Sequence, residues 1–520
     1  MAACIVHRFY ARIASTIFVD TAKELSTGRV ECHFVPRFDA LCRWKCVPLQ
    51  KFFAKVEPSA PTRQRSNPAR ETTCQYIGEN RTMKILKFGG TSVGSAERMR
   101  HVADLISSRG CNMVVLSAMS GTTNTLVEIA EYLQKGNQPG ALETLNVLHG
   151  KYNDVIAGLF VDNAEARRVA TEAIDACLGY VRSLTNEDYS DESEKEILAQ
   201  GELMSTALMN TYLHMCGVNS VLLPALEYMR TDAGGEPDMK YISSHLRRLM
   251  EVNPGADLYL TQGYICRNAA GHVDNLQRGG SDYTASLLGA VLGAEEIEIW
   301  TDIDGMHNND PRYVQGTSPV SELHFEEAAE LAYFGAKILH PSCVLPARLN
   351  NIPVRLLNTM EPQRPGTLIH NTPSTRTIKA VAAKDNIIAI KIKSGRMLLA
   401  YGFLHKVFET FENYRTSIDM MATSEVGVTV TIDDEKHLAA IVDDLKKFGT
   451  VTIDRDMVII CVVGDLEWHN TGFEAKAVSA LSDIPVRMIS YGGSNYNVSM
   501  LVRRQDKVEA LNRLSRALFG

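Results

Sequence analysis

The sequence predicts an α/β protein: one domain built on a mostly parallel sheet, followed by two small α+β modules. Three observations carry this reading. From Met83 to about Asn358, short β-favouring runs alternate with amphipathic stretches of helical length, as in a sheet whose strands are joined by helices. Breaks at Glu361-Pro362-Gln363-Arg364-Pro365-Gly366 and Asn371-Thr372-Pro373 end that alternation. Beyond them the chain reads strand, helix, strand, strand, helix, strand, twice over.

Residues 1–82 stand apart. They hold five of the eleven cysteines and thirteen Lys and Arg against seven Asp and Glu. Lys51 to Thr82 is broken by Pro58, Pro61 and Pro68 and has no sustained period, which reads as linker. A transit peptide is poor in acids, whereas this segment keeps Asp20, Glu24, Glu31 and Asp39, so a dispensable or non-native extension is expected.

Met83 then opens a strand pattern, Lys84-Ile85-Leu86-Lys87-Phe88. Met113 to Ser117, Leu258 to Gln262, Glu296 to Trp300 and Val354 to Asn358 read as further strands. Ala96–Ser108, Asn124–Leu133, Glu192–Met215 and Phe325–Ala336 read as helices. The expected domains are therefore residues 83–372 and a C-terminal region, 373–520.

Composition narrows the function. The chain is 45% apolar and 22% charged, with no apolar run approaching the ~18 to 20 residues of a membrane span. A net charge of -7 points away from nucleic acid. Irregular cysteines without C-x-x-C suggest neither zinc nor a disulfide framework, and a cytoplasmic location is expected.

Five motifs carry chemistry. Lys87-Phe88-Gly89-Gly90-Thr91-Ser92 runs from strand to glycine-rich turn to helix, letting backbone N–H groups and a helix N-terminus meet phosphate while Lys87 offsets charge on a transferring group. It is not a Walker P-loop, and read alone it is more simply a tight turn. Ser117-Ala118-Met119-Ser120-Gly121-Thr122-Thr123-Asn124 repeats the arrangement, though Ser and Thr also cap helices. Arg278-Gly279-Gly280-Ser281-Asp282 sets a guanidinium and a carboxylate within reach of the two ends of an α-amino acid, or alternatively caps a helix with an internal ion pair. Thr301-Asp302-Ile303-Asp304-Gly305-Met306-His307 with Asp310-Pro311-Arg312 follows a strand and suits nucleotide and Mg²⁺, or forms turns. Phe334-Gly335-Ala336-Lys337-Ile338-Leu339-His340-Pro341 puts Lys337 at a helix end, where it offsets the helix dipole or contacts phosphate.

Together and in this order, the motifs resemble the aspartate kinase family of the amino-acid kinase fold, from Lys84 to the C-terminus. The resemblance implies an enzyme that moves the γ-phosphate of ATP, with Mg²⁺, to the side-chain carboxylate of L-aspartate, the first step toward lysine, threonine and methionine. By it Lys87, Asp282 and Lys337 would be catalytic. Gly89, Gly90, Thr301, Asp302, His307 and Arg312 would join Lys87 and Lys337 along ATP, with no separate metal site. Ser117, Thr123, Glu202, Arg278, Gly279, Gly280 and Ser281 would hold aspartate. His307 departs from the tyrosine often found there, and Glu202 read alone is a solvated helix residue.

The C-terminal region resembles the family's paired ACT domains, the first near residues 386–455 inserted in the second near 376–385 and 456–520. An amino-acid effector, lysine or alternatively threonine, would meet Met397, Gly402, Phe403, Leu404, Asp419, Thr423, Ser424 and Glu425. Ala400 stands where lysine-sensitive relatives often have serine. ACT pairing implies a homodimer or higher. The rival readings are a kinase for acetylglutamate or glutamate, a fusion with homoserine dehydrogenase, and a sensor without chemistry. The ACT pair and first signature argue against the first, the lack of G-x-G-x-x-G against the second, and Lys87, Arg278, Asp282 and Lys337 against the third.

Overall fold

The computed structural model describes residues 83–109, 112–276, 279–335, 339–372, 378–394 and 401–520. The first lobe contains strands β1 (Ile85–Phe88), β2 (Met113–Leu116), β3 (Ser220–Leu223), β4 (Leu258–Gln262), β5 (Ile265–Arg267), β6 (Val273–Asn275), β7 (Ile297–Thr301), β8 (Glu322–His324), β9 (Val354–Asn358) and β10 (Thr367–His370). Eight of them form one sheet in the order β3-β4-β2-β1-β7-β9-β10-β8, while β5 and β6 make a separate hairpin. Every neighbouring pair in the large sheet is parallel except β9 and β10.

Strands buried on both faces are continuous apolar runs, and Met113-Val114-Val115-Leu116 is buried throughout. Alternation sends Ile85, Val115, Ile297 and Ile299 into one core and Leu86, Phe88, Leu116 and Trp300 into another. The second core is closed by α1 (Ala96–Ser107), α2 (Thr122–Gln134), α3 (Gln138–Leu159), α4 (Ala164–Leu184) and α5 (Asp191–Met215). On the first face lie α6 (Ala225–Tyr228), α7 (Met239–Glu251) and α8 (Gly280–Leu292), followed along the chain by α9 (Phe325–Tyr333) and α10 (Leu345–Leu349).

Helix α9 is shorter than its pattern suggests. It stops at Tyr333, because Phe334 leaves helical geometry and Gly335 takes φ +129°. A Cβ on Gly335 would fall 2.3 Å from the Ala383 carbonyl oxygen, so backbone presses on backbone there.

The second region is one antiparallel sheet. Its strands are β11 (Ile378–Lys393), β12 (Met421–Ser424), β13 (Gly427–Ile432), β14 (Thr450–Gly464), β15 (Met488–Tyr491) and β16 (Asn497–Arg503), ordered β12-β13-β11-β14-β16-β15. Helices α11 (Phe403–Asn413), α12 (Leu438–Leu445), α13 (Phe473–Ala480) and α14 (Lys507–Phe519) cover it. The long pair β11 and β14 crosses two cores. Ile388, Ile390 and Ile392 pack with Val407 and Ile441, whereas Val381, Val458 and Ile460 pack with Ala477 and Leu511. The register slips between Lys384 and Ala389, where one core gives way to the other.

Candidate active site

The carboxyl ends of β1, β2, β4 and β7 lie side by side, the edge at which a parallel sheet collects ligands. The first two loops are interlocked through their backbones. Ser120 N–H donates to Gly90 O at 3.0 Å and Gly89 N–H to Trp300 O at 3.2 Å. A side chain on Gly90 would meet the Ala118 carbonyl at 2.6 Å, so glycine is what lets the loops touch.

Lys87 leaves β1 within this edge, and its ammonium lies 2.7 Å from an Asp282 oxygen. Both side chains are about nine-tenths buried, which favours a short, charge-compensated contact. Asp282 sits in the first turn of α8, which starts from Gly279 in the left-handed region at φ +73°. Gly280 and Ser281 lean on Gly263 and Tyr264: a Cβ on Gly280 would be 2.5 Å from the Tyr264 ring. Tyr264 itself has φ +67°, held by its N–H on Thr284 Oγ1 at 3.1 Å.

On the other side stand Ser117, Thr123 and Glu202. Ser117 N–H donates to Phe88 O, and its carbonyl accepts from Ser205 Oγ at 2.8 Å. Thr123 is half-buried in the first turn of α2. Glu202 is no solvated helix residue. Its carboxyl is buried, with Oε1 accepting the Ala118 N–H at 3.1 Å and Oε2 lacking a hydrogen-bond partner among the described residues. Burial pushes its pKa up to about 7, against which the Ala118 N–H pulls downward.

Thr301 ends β7, and its carbonyl accepts from Thr359 N–H at 2.8 Å. Asp302 is exposed beyond it. His307 and Arg312 find local partners: His307 Nε2 meets Asp304 at 2.7 Å, and Arg312 forks onto Asp310 at 2.7 Å. Arg278, Lys337 and Met397 lie outside the described residues, as does Ala400. The structure thus brings Lys87 to Asp282, sets Ser117 on the adjoining loop with Glu202 of α5 against it, and leaves His307 and Arg312 with local carboxylate partners of their own. The sequence reading offered Asp282 a partner in Arg278; the described partner is Lys87.

In the second region Gly402, at φ +80°, precedes α11, with Phe403 buried and Leu404 half-buried. Thr423, Ser424 and Glu425 are exposed at the edge strand β12. Asp419 differs from them. Its side chain is 1% exposed and 2.6 Å from the Lys384 ammonium, which also lies 2.9 Å from Asp433. Tyr333 of α9 donates to the same Asp419 oxygen at 2.8 Å, and the Lys384 ammonium lies 4.5 Å from the Tyr333 ring centre. Burial raises the Asp419 pKa while Lys384 and Tyr333 act against that rise. A lone acid expected to await an ammonium is therefore already beside one.

Lys384 and Tyr333 escaped the sequence reading, as did Gln262, Thr206 and Ser205. One signal could have exposed Gln262: a polar residue closing an apolar strand in a parallel sheet points at the ligand edge. Among the described residues no group of three or more His, Cys, Asp or Glu converges to hold a metal. No described helix is long and apolar enough to cross a membrane.

Residues 82–358 match the Amino acid kinase family, and residues 460–518 match an ACT domain. The chain is 35% identical to aspartokinase 3, chloroplastic, of Arabidopsis thaliana, across 85% of this chain and 82% of that protein. It is 33% identical to lysine-sensitive aspartokinase 3 of Escherichia coli, across 84% of this chain and 99% of the other. The crystal structure of E. coli aspartokinase III with aspartate and ADP, called its R-state, superposes with a TM-score of 0.72 at 31% identity, covering 84% of this chain and 100% of that one. Its complex with lysine and aspartate, called the T-state, gives 0.71 at 32% identity with the same coverage.

Proposed function

We propose, from the premise that this chain belongs to the aspartokinases of the amino acid kinase family, that its site works by matching charges and needs no general base. The enzyme is an ATP-dependent aspartate kinase. Its nucleophile, a side-chain carboxylate with a solution pKa of about 3.9, is ionised near neutrality and has no proton to surrender. Two anions must still be brought together, so catalysis rests on positioning and charge cancellation. The buried Lys87–Asp282 pair carries this reading, since it holds an ammonium at the glycine-rich loop where phosphate would lie.

In this account Lys87 and Lys337 stabilise the transferring phosphoryl group and Asp282 keeps Lys87 in place. Gly89 and Gly90 admit the phosphates, and Thr301, Asp302, His307 and Arg312 border the rest of ATP. Arg278, Gly279, Gly280 and Ser281 hold the α-carboxylate of aspartate, Glu202 its ammonium, and Ser117 and Thr123 the reacting end. Mg²⁺ would arrive with the triphosphate, its oxygen ligands being phosphates and waters. The product is 4-phospho-L-aspartate, which opens lysine, threonine and methionine synthesis. A coupled ADP-release assay tests the substrate: turnover with aspartate and none with glutamate is expected, and ADP release indifferent to aspartate would overturn the reading.

The finer architecture is also a proposal: a kinase domain of 83–372, a first ACT module of about 386–455, and a second of 376–385 with 456–520. Subunits pair through these modules as a homodimer or higher, checked by light scattering. Lysine is the proposed effector and threonine the alternative, bound at the paired modules near Gly402, Phe403, Leu404, Asp419 and Glu425. The E. coli relative is named lysine-sensitive. Titration of both amino acids against wild type and Asp419→Ala at fixed aspartate tests this, and a lysine response unchanged by the substitution would displace the site. We place the enzyme in the cytoplasm; a fluorescent fusion found in an organelle instead would revise that.

A further inference from the structure

Glu202 presents an unusual problem of support. One carboxylate oxygen is tied to the Ala118 N–H and the other has no hydrogen-bond partner among the described residues, although the group is buried. A half-satisfied carboxyl in a dry interior is costly, and a small roll of α5 would let it seek another donor. Something must fix the rotation of the helix.

The two residues that follow on its next turn do this from opposite sides. Ser205 Oγ donates to the carbonyl of Ser117, at the loop that also holds Ala118, at 2.8 Å. Thr206 Oγ1 donates to the carbonyl of Glu202 itself at 2.8 Å and accepts from Gln262 Nε2 at 2.8 Å. Gln262 closes β4 opposite Leu116 of β2, and its Oε1 accepts the Ala225 N–H at 2.8 Å. That N–H can only donate, so the amide has one allowed orientation: oxygen toward Ala225, nitrogen toward Thr206. Ser205, Thr206 and Gln262 are each at most 1% exposed, so no solvent competes for these bonds. The network ties α5, the end of β4 and the start of α6 into one rigid support directly behind Glu202.

We infer that Gln262 and Thr206 are positioning residues for aspartate, locking α5 so that the free Glu202 oxygen faces the substrate's ammonium. This rests on the reading of Glu202 as that ammonium's partner. Neither residue touches the reacting atoms. Their effect is on how the first carboxylate is aimed, and a misplacement near 1 Å in such a site costs up to about 100-fold.

The test is steady-state kinetics on the full-length enzyme, varying aspartate at saturating ATP and ATP at saturating aspartate. Thr206→Val keeps the side-chain shape and removes the hydroxyl. It is expected to raise the aspartate KM roughly tenfold while kcat and the ATP KM stay within about twofold, and Thr206→Ser is expected to restore the wild-type value. Gln262→Met should reproduce the Thr206→Val pattern; should it fail to fold, Thr206→Val carries the test alone. In a Glu202→Gln background, Thr206→Val should add nothing further to the aspartate KM, because the group it aims has already lost its charge. Two outcomes separate the possible errors. If Glu202→Gln raises the aspartate KM but folded Thr206→Val does not, or if Thr206→Val raises both KM values alike, the positioning role is wrong and the Glu202 reading survives. If Glu202→Gln leaves the aspartate KM unchanged, both fall together.

Discussion

In the parallel sheet, β1 and β2 are four residues long and each stops at a loop bearing polar groups, whereas β11 and β14 of the antiparallel sheet continue for 16 and 15 residues. The difference goes beyond length. A strand that stops leaves backbone N–H groups and a following helix N-terminus facing outward, and Lys87, Asp282, Ser117 and Glu202 gather at such ends. A strand that continues spends its backbone groups on neighbours and joins distant places instead. Halfway along β11 the register slips, and there Lys384 reaches Asp419 and Asp433 while Ala383 bears on Gly335. The candidate site sits where strands end; the contacts between the two regions sit where one passes through.

That contrast is best attacked from the catalytic side, where the largest effects are expected. Lys87→Ala and Asp282→Ala should each lower aspartate-dependent turnover roughly 10²- to 10³-fold with the circular dichroism spectrum unchanged. Near-normal turnover in a folded variant would remove that residue from the site.

The next effect concerns Glu202, whose pKa in the folded protein is raised to about 7 from an ordinary 4.5. A carboxyl held neutral by burial favours the folded state at low pH, and that favour is lost as pH rises from 4.5 through 7. Glu202→Gln should therefore leave stability at pH 4 unchanged and raise it at pH 8 by about 1 to 3 kcal/mol, read from denaturant unfolding without substrate. Substrate ammonium prefers the ionised form, so wild-type kcat/KM for aspartate should climb with pH and level off above about 7. A flat profile between pH 5.5 and 8 would contradict both the shift and the role.

Smaller still should be the kinetic consequence of Lys384→Met. Uninhibited turnover should change less than about twofold, while the half-inhibiting concentration of an ammonium-bearing effector should fall about fivefold, since a resident competitor for Asp419 has gone. Loss of turnover comparable to Lys87→Ala would erase the distinction between the two regions. The smallest effect is expected from a chain that starts at Met83, which should match the full chain within about twofold in turnover. Insolubility of the shorter chain would make residues 1–82 part of the fold.

Much of the scaffold was legible because local and tertiary preferences agree. Leu258–Gln262 and Val354–Asn358 read as strands from their apolar, β-favouring side chains and occur as such. The end of α9 was not legible. Phe334-Gly335 continues a helical pattern well enough, yet the helix ends there, and the closeness of Gly335 to the Ala383 carbonyl, forty-eight residues away in the chain, leaves no room for a side chain. The candidate site divides along the same line. Lys87, Asp282 and the glycines stood out through the family resemblance of their motifs, while the partner of Asp282 and the lysine beside Asp419 are meetings of distant segments that no local pattern records. Gln262 was hidden for another reason: a lone amide carries no charge and no motif, and its importance lies in which two groups it joins.

The continuous strands also set an order of assembly. The first lobe has its last strand, β10, by His370, so its sheet can close as soon as that stretch leaves the ribosome. The antiparallel region has no such early stopping point. The opening half of β11 waits for Ile459–Gly464 to pair with it, and the core behind that half is sealed only by α14, at Lys507–Phe519. Contacts so far apart in sequence form late. A nascent chain would thus spend more than a hundred residues of synthesis with Ile378 and Val381 lacking their final neighbours Ala510, Leu511 and Leu514, which makes the antiparallel region the stretch most in need of chaperones.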